Sequence, residues 1–274
     1  MKNSIRKILF ISMWVVLVVG LIVTLGFAQK QESKMLCKKL NIIIHQDSNN
    51  YFIETEDIRE MLAAKGDFIE GQSISTINVN SVEKLMYTNP WVRTAQAYLS
   101  LDGVMQIEID VRSPLVRLIN LNGESFYMDT EGKLMLWSAK YTPRVLVASG
   151  NITETYAGWY KITMHDILTD DSIQQKTKLD DIYKMANFIT SDPFWNAQIS
   201  QLNLNTNNEL ELIPEVGDHT IVFGDITDMK EKFTKLKMFY SDGLNHTGWN
   251  IYDTLNLKYK DQVVCTKIKS VVNN

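Results

Sequence analysis

A chain of 274 residues with two cysteines, five prolines and four histidines is short of the residues on which many sites are built. Cys37 and Cys265 stand near opposite ends of the sequence. Two thiols make no disulfide framework, and both read as small, buried or half-buried side chains. His45, His165, His219 and His246 show no metal-ligand spacing, and HExxH and Cys-His clusters are absent. Each histidine therefore reads as a loop or surface residue. There is no GxSxG elbow, SxxK, Walker loop or GxGxxG. Basic charge is scarce as well. The whole chain carries −4 and its first seven residues +3, which leaves −7 on the remainder. A mildly acidic surface does not suit phosphate backbones, so nucleic acid is excluded as the expected partner. Asp170-Asp171 and Gly217-Asp218-His219 resemble acid pairs, but in an acidic chain such groups read as a solvated face. The tryptophans at 91, 137, 159, 195 and 249 read as isolated core anchors, not as a glycan groove. Cofactor and metal sites are expected to be none.

Long apolar runs are also scarce, with one exception. After Lys2, Arg6 and Lys7 the chain is uncharged from Ile8 to Ala28, a run of 21 residues. As one helix rising about 1.5 Å per residue, it spans a hydrocarbon core of about 30 Å. The basic flank predicts a cytoplasmic tail, 1–7, with the rest translocated. Gly26-Phe27-Ala28 offers small residues for a leader peptidase, but the run exceeds the 7–15 residues usual for a cleaved leader. A retained anchor over 8–28 is the expectation, followed by a polar linker over 29–39. About 246 residues remain, enough for two modest cores.

The first of these opens with Leu40-Asn41-Ile42-Ile43-Ile44, a β-branched strand. Thr55 is placed to cap a helix with Ile58, Met61 and Leu62 on one face and Gly66 beyond its end. Asn80 with Glu83 resembles a capping box for a second helix, which Asn89-Pro90 ends. Trp91 follows as a structural anchor at the joint between helix and strand. Met105, Ile107, Ile109 and Val111 alternate with polar residues, as in a half-buried strand. Only a three-residue loop, Leu101-Asp102-Gly103, sets Ala95, Ala97 and Leu99 on the same face as Ile109, Ile107 and Met105. The order is strand, helix, helix, strand, strand.

Ser113-Pro114 marks a change to short strands and turns. Strands are predicted over Val116–Leu121, Ser125–Met128, Arg144–Ala148, Ile199–Asn205, Glu209–Ile213, Thr220–Phe223, Ile251–Leu257 and Tyr259–Thr266. Helices are predicted over Lys176–Thr190 and from Asp228, with Glu231 completing a cap at the latter. The fold class is α+β. In Asn256–Thr266, Leu257, Tyr259, Asp261 and Val263 alternate with Lys258, Lys260, Gln262 and Val264. Such a strand at a sheet edge exposes backbone groups that invite another chain, and the lysines discourage self-pairing.

Three stretches carry a resemblance. "NPWVRTAQAYLSLDGVMQIEIDVRSPLVRL" resembles the POTRA domain of the FtsQ/DivIB family of bacterial cell-division proteins. "SFYMDTEGKLM" with "YTPRVLVASG" resembles the opening of that family's β domain, and "GWNIYDTLNLKYKDQVVC" its closing strands. The resemblance implies a POTRA domain over 40–114 and an FtsQ-type β domain over 115–274. It implies a non-enzymatic scaffold at the division septum, anchored once in the cytoplasmic membrane, with FtsB- and FtsL-like partners on the exported side. It also assigns the partner edge to Leu257, Lys258, Tyr259, Lys260, Gln262 and Val264, with Lys258-Tyr259 as its central pair. The Phe126–Asp129 and Lys176–Thr190 spacings depart from better-known members, and the tail is very short, so contacts through the tail have little support. Two other classes remain open. One is an extracytoplasmic cell-wall-acting enzyme; the other is a POTRA-bearing secretion or outer-membrane assembly factor, which should add a barrel or tandem POTRAs.

Overall fold

A computed structural model describes residues 13–24, 35–46, 51–66, 68–244, 246 and 248–268. Residues 13–24 form a helix, α1, whose side chains are exposed. The ends of the expected anchor, residues 8–12 and 25–28, lie outside the described residues, as do the 1–7 tail and residues 29–34 of the linker. Among the described residues no helix is long and apolar enough to cross a membrane. The chain divides into two compact units, one holding Ile53–Val111 with the residues up to Gln46, the other Asp47–Phe52 with Arg112–Asn274.

In the first unit β1 (Lys39–His45) is followed by α2 (Thr55–Ala64), α3 (Val79–Met86), β2 (Val92–Leu99) and β3 (Val104–Val111). The sheet order is β1-β3-β2, with β1 parallel and β2 antiparallel to β3. A parallel pair needs a long crossover, and the two helices supply it. Apolar residues of α2 and α3, among them Ile58, Leu62, Val82 and Met86, are buried together with Ile107 and Ile109 of β3. The β2–β3 hairpin has the expected register, Leu99 opposite Met105, Ala97 opposite Ile107 and Ala95 opposite Ile109. Gly103 takes φ +87, and a Cβ there would stand 3.0 Å from the Leu36 carbonyl oxygen.

Both caps in this unit differ from expectation. Helix α2 is capped at Glu54, one residue before Thr55, and the Asp57 carboxylate accepts the Glu54 N–H at 2.9 Å. Helix α3 starts a residue before Asn80, and the extended Asn78 caps it by accepting the Ser81 N–H at 3.1 Å. Glu83 is thereby released from the cap. Trp91 is half-buried, and its N–H is accepted by Asn89 Oδ1 at 3.0 Å. Asn89 itself is buried and donates its amide to Met61 Sδ at 3.7 Å, joining this corner to α2.

The second unit is built on a nine-stranded mixed sheet. Its strands are β4 (Pro114–Ile119), β5 (Ser125–Asp129), β6 (Leu134–Leu136), β7 (Leu146–Gly150), β8 (Ile199–Leu204), β9 (Leu210–Pro214), β10 (Thr220–Gly224), β11 (Tyr252–Asn256) and β12 (Val264–Lys267). They lie in the order β12-β11-β10-β9-β8-β7-β4-β5-β6. The helix α7 (Leu179–Ser191) puts Ile182, Met185, Ala186 and Ile189 into the same core as Leu118 and Leu202 of the sheet. It starts at Leu179, three residues later than expected. Thr177 Oγ1 accepts the Leu179 N–H and is hydrogen-bonded to the buried Glu154 carboxylate, which stops the helix from extending backward. The short helices α4 (Tyr156–Trp159), α5 (Met164–Thr169), α6 (Asp171–Gln174) and α8 (Pro193–Gln198), like the three-residue β6, are too brief for a periodicity to appear in the sequence. The helix α9 (Met229–Met238) follows Asp228, which sits at φ +51 with no side-chain cap bond, so Glu231 completes no cap.

Arg112 and Pro114, near the end of the first quoted stretch that resembles the family, each have a structural role. Arg112 Nη1 donates to Asp129 Oδ2 at 2.6 Å, and the two side chains are 8% and 2% exposed. Asp129 Oδ1 accepts the N–H groups of Glu131 and Lys133, which closes the Asp129–Gly132 turn. Two residues beyond Arg112, Pro114 opens β4, where a missing N–H is tolerated.

Candidate docking edge

The candidate surface lies at the end of the large sheet formed by β10, β11 and β12. Parallel pairing of β10 with β11 runs on past Asn256, because Leu257 N–H donates to the Val222 carbonyl at 2.9 Å. The chain then leaves the sheet. Residues 258–263 form a turn, with Asp261 at φ +57, and the strand resumes only at Val264. The uninterrupted strand expected over Tyr259–Thr266 is therefore broken. The alternation of apolar and polar residues that suggested it falls on a turn in which residues 258–262 are all exposed.

Helix α9 holds this turn in place. Lys235 Nζ donates to the carbonyls of Leu257, Tyr259 and Gln262 at 3.1, 2.5 and 3.4 Å. Three acceptors on one ammonium fix the turn from inside and leave its side chains facing out. Lys258 N–H is accepted by Asn256 Oδ1, and Lys258 Nζ bonds Glu209 Oε1 at 2.8 Å. The Glu209 carboxylate holds the Lys258 ammonium pKa above its ordinary value. Gly224 sits beneath the Lys258 stem, where a Cβ would meet Cγ at 2.8 Å. That close approach and φ +81 both call for glycine.

The expected site residues divide into two groups. Tyr259, Lys260, Gln262 and Val264 are exposed, as is Lys258 beside Glu209. Leu257 is fully buried in the core and is no contact residue. Its side chain turns inward because Leu257 still follows the β10 pairing. Sequence reasoning missed Lys235, whose role was hidden in a lysine-rich helix, and Ile268, which is exposed and donates its N–H to the Ile251 carbonyl at 3.0 Å.

Among the described residues the strand β12 pairs only with β11, Val264 opposite Asn256, Cys265 opposite Leu255 and Thr266 opposite Thr254. Since the Ile268 N–H points toward β11, strand alternation turns the N–H groups of Cys265 and Lys267 to the outer side. Among the described residues no strand lies there. Cys265 packs against the core, which raises its thiol pKa, and both cysteines are free.

The remaining residues singled out in the sequence do not gather into a reactive site. His45, His165 and His246 are exposed, but His219 is buried, contrary to expectation. Its Nε2 shares a 2.9 Å hydrogen bond with the Tyr240 hydroxyl, and Trp249 and Tyr240 pack around the ring. Burial pushes the His219 pKa down, with Asp218 opposing. Asp170 caps α6 by accepting the Ser172 N–H. Trp195 belongs to the core, Trp159 and Trp249 pack against it, and Trp137 is exposed. Among the described residues no group of three His, Cys, Asp or Glu could hold a metal ion.

A small strand-helix-helix-strand-strand unit and a large mixed sheet, whose last strand is unpaired on its outer side among the described residues, define a two-domain α+β protein. The chain belongs to the FtsQ/DivIB family: the family described as FtsQ/DivIB, C-terminal related, matches residues 113–266, more than half of the chain. A POTRA-like domain matches residues 35–110. No curated protein matches the chain.

Proposed function

We propose that this protein is a non-enzymatic scaffold of the bacterial divisome, joining septal proteins through contacts on the exported side of the cytoplasmic membrane. Membership of the FtsQ/DivIB family over more than half of the chain carries this reading. The family is generally non-enzymatic, and its members act in cell division. The run from Ile8 to Ala28 serves as the single anchor, with Lys2, Arg6 and Lys7 on the cytoplasmic side.

The partners in this reading are small FtsB- and FtsL-like proteins. The β12 edge offers outward N–H groups for main-chain pairing. Tyr259 supplies an exposed amphipathic side chain of the kind that anchors interfaces, and Lys260 favours an acidic segment. Gln262 and Val264 continue the same surface. Depletion of the protein tests the reading. Cells should elongate without septa, and a fluorescent fusion should gather at the septum. Normal septation in depleted cells would refute the proposal.

A further inference from the structure

Glu83, released from the expected cap, does different work. It lies four residues before Tyr87, so the two side chains share one helix face and stand about 6 Å apart along the axis. Alternate residues of a strand repeat at about 6.6–6.8 Å, nearly the same interval. The two intervals meet at β2. Tyr87 Oη accepts the Ala95 N–H at 3.2 Å and donates to the Ala95 carbonyl at 3.4 Å. Glu83 Oε1 accepts the Ala97 N–H at 2.9 Å. The small side chains of Ala95 and Ala97, both buried, let α3 come this close.

Among the described residues the strand β2 lies at one edge of its sheet, with β3 on its other side. Pairing with β3 leaves the Ala95 and Ala97 N–H groups on the outer side, where an added strand would bond. Tyr87 serves the donor and the acceptor of one residue together, as such a strand would. The segment VRTAQAYL needs the protection. Val92, Thr94 and Tyr98 favour strand, Arg93 is the segment's only charge, and it contains no proline to deter pairing with its own kind. The strand β12 differs, since Lys267 lies in it and Lys258 and Lys260 precede it.

We infer that Glu83 and Tyr87 form a side-chain latch that closes the β2 edge against strand addition by β2 of a second copy of this chain. Two copies in antiparallel register would make a symmetric, self-complementary edge pair. The latch holds whether or not β12 docks a partner.

The test compares the full chain with Glu83→Leu/Tyr87→Phe by sedimentation and by hydrogen exchange at Ala95 and Ala97. At low protein concentration the two amides should exchange roughly five- to tenfold faster in the variant, the effect of losing about one hydrogen bond each. The variant should then associate beyond the parent as concentration rises. Adding Ala97→Pro, which deletes an outward donor, should restore the parent's state, and Glu83→Gln alone, which keeps an acceptor, should leave that state unchanged. Unchanged exchange, or faster exchange without added association, overturns the inference. Should the double variant fail to fold, Tyr87→Phe alone removes only the hydroxyl, and unchanged exchange at Ala95 in that variant overturns the inference equally.

Discussion

Replacing Asp129 by alanine should strand a buried guanidinium. Arg112 and Asp129 are almost fully removed from solvent and meet at 2.6 Å, so little of either charge is hydrated. Removing one partner of such a pair typically costs about 3–5 kcal/mol, because the other charge stays buried and unpaired. Two observations place the expected loss within that range. Asp129 Oδ1 also accepts the N–H groups of Glu131 and Lys133, whose loss adds to the cost. Against this, the exposed Glu131 carboxylate lies 3.9 Å from Arg112 and can move in. These partly cancel, and about 3–4 kcal/mol is the expected loss for Asp129→Ala. Asp129→Asn keeps an acceptor for the turn and should lose less. In Arg112→Met/Asp129→Ala no charge remains buried, so part of the loss should return. Urea unfolding followed by tryptophan fluorescence reads the effect, and the transition of the second unit should move while that of the first stays. A loss below about 1 kcal/mol, the scale of an exposed ion pair, would show that Arg112 is not left buried and unpaired.

Three further outcomes follow from the same geometry. His219 is buried with its pKa held below the ordinary 6.5. The unfolded chain therefore binds the proton first, and stability, full above about pH 6.5, should fall as pH drops from there toward the folded value. His219→Phe should flatten that slope in pH-dependent denaturation, and an unaltered slope would clear His219 of the role. Trp91 is half-buried, so Trp91→Ala should lower the stability of the first unit by about 2 kcal/mol, less than the 3–5 expected of a fully buried indole. Unchanged melting with lost partner binding would make Trp91 a contact residue instead. Lys235→Met removes three carbonyl contacts, and amide exchange across residues 258–263 should accelerate while β11 stays protected. Equal exchange in parent and variant would show that the turn holds without α9.

Much of the first unit was legible because its signals are long and regular. The β2–β3 register followed from the rule that a slip of one residue turns Ile107 and Ile109 outward. The caps were misread because Glu54, Asn78 and Asn80 all lie within a residue or two of a helix start, and only backbone geometry decides which one turns inward. In the second unit, helices of four to six residues carry too few positions for a period to emerge. The 256–266 segment shows the limit most clearly. Its alternation was real, but Asp261 in the left-handed region and three bonds from Lys235 made it a turn. Lys258, Tyr259, Lys260, Gln262 and Val264 stay exposed in that turn and at the start of β12, whereas Leu257 lies in the core.

In the proposed function the β12 edge and the turn before it receive a partner chain. The direct measurement is the affinity of the full chain for the exported segment of its FtsB-like partner, with Tyr259→Ala and Lys267→Pro as probes. Tyr259→Ala removes an exposed side chain from the turn. Lys267→Pro removes an outward N–H while leaving the pairing to β11 in place. Each should weaken binding about tenfold or more, on the order of 1.4 kcal/mol, with the unfolding midpoint held. Parent-like affinity in both folded variants would place the partner's contact elsewhere on the protein.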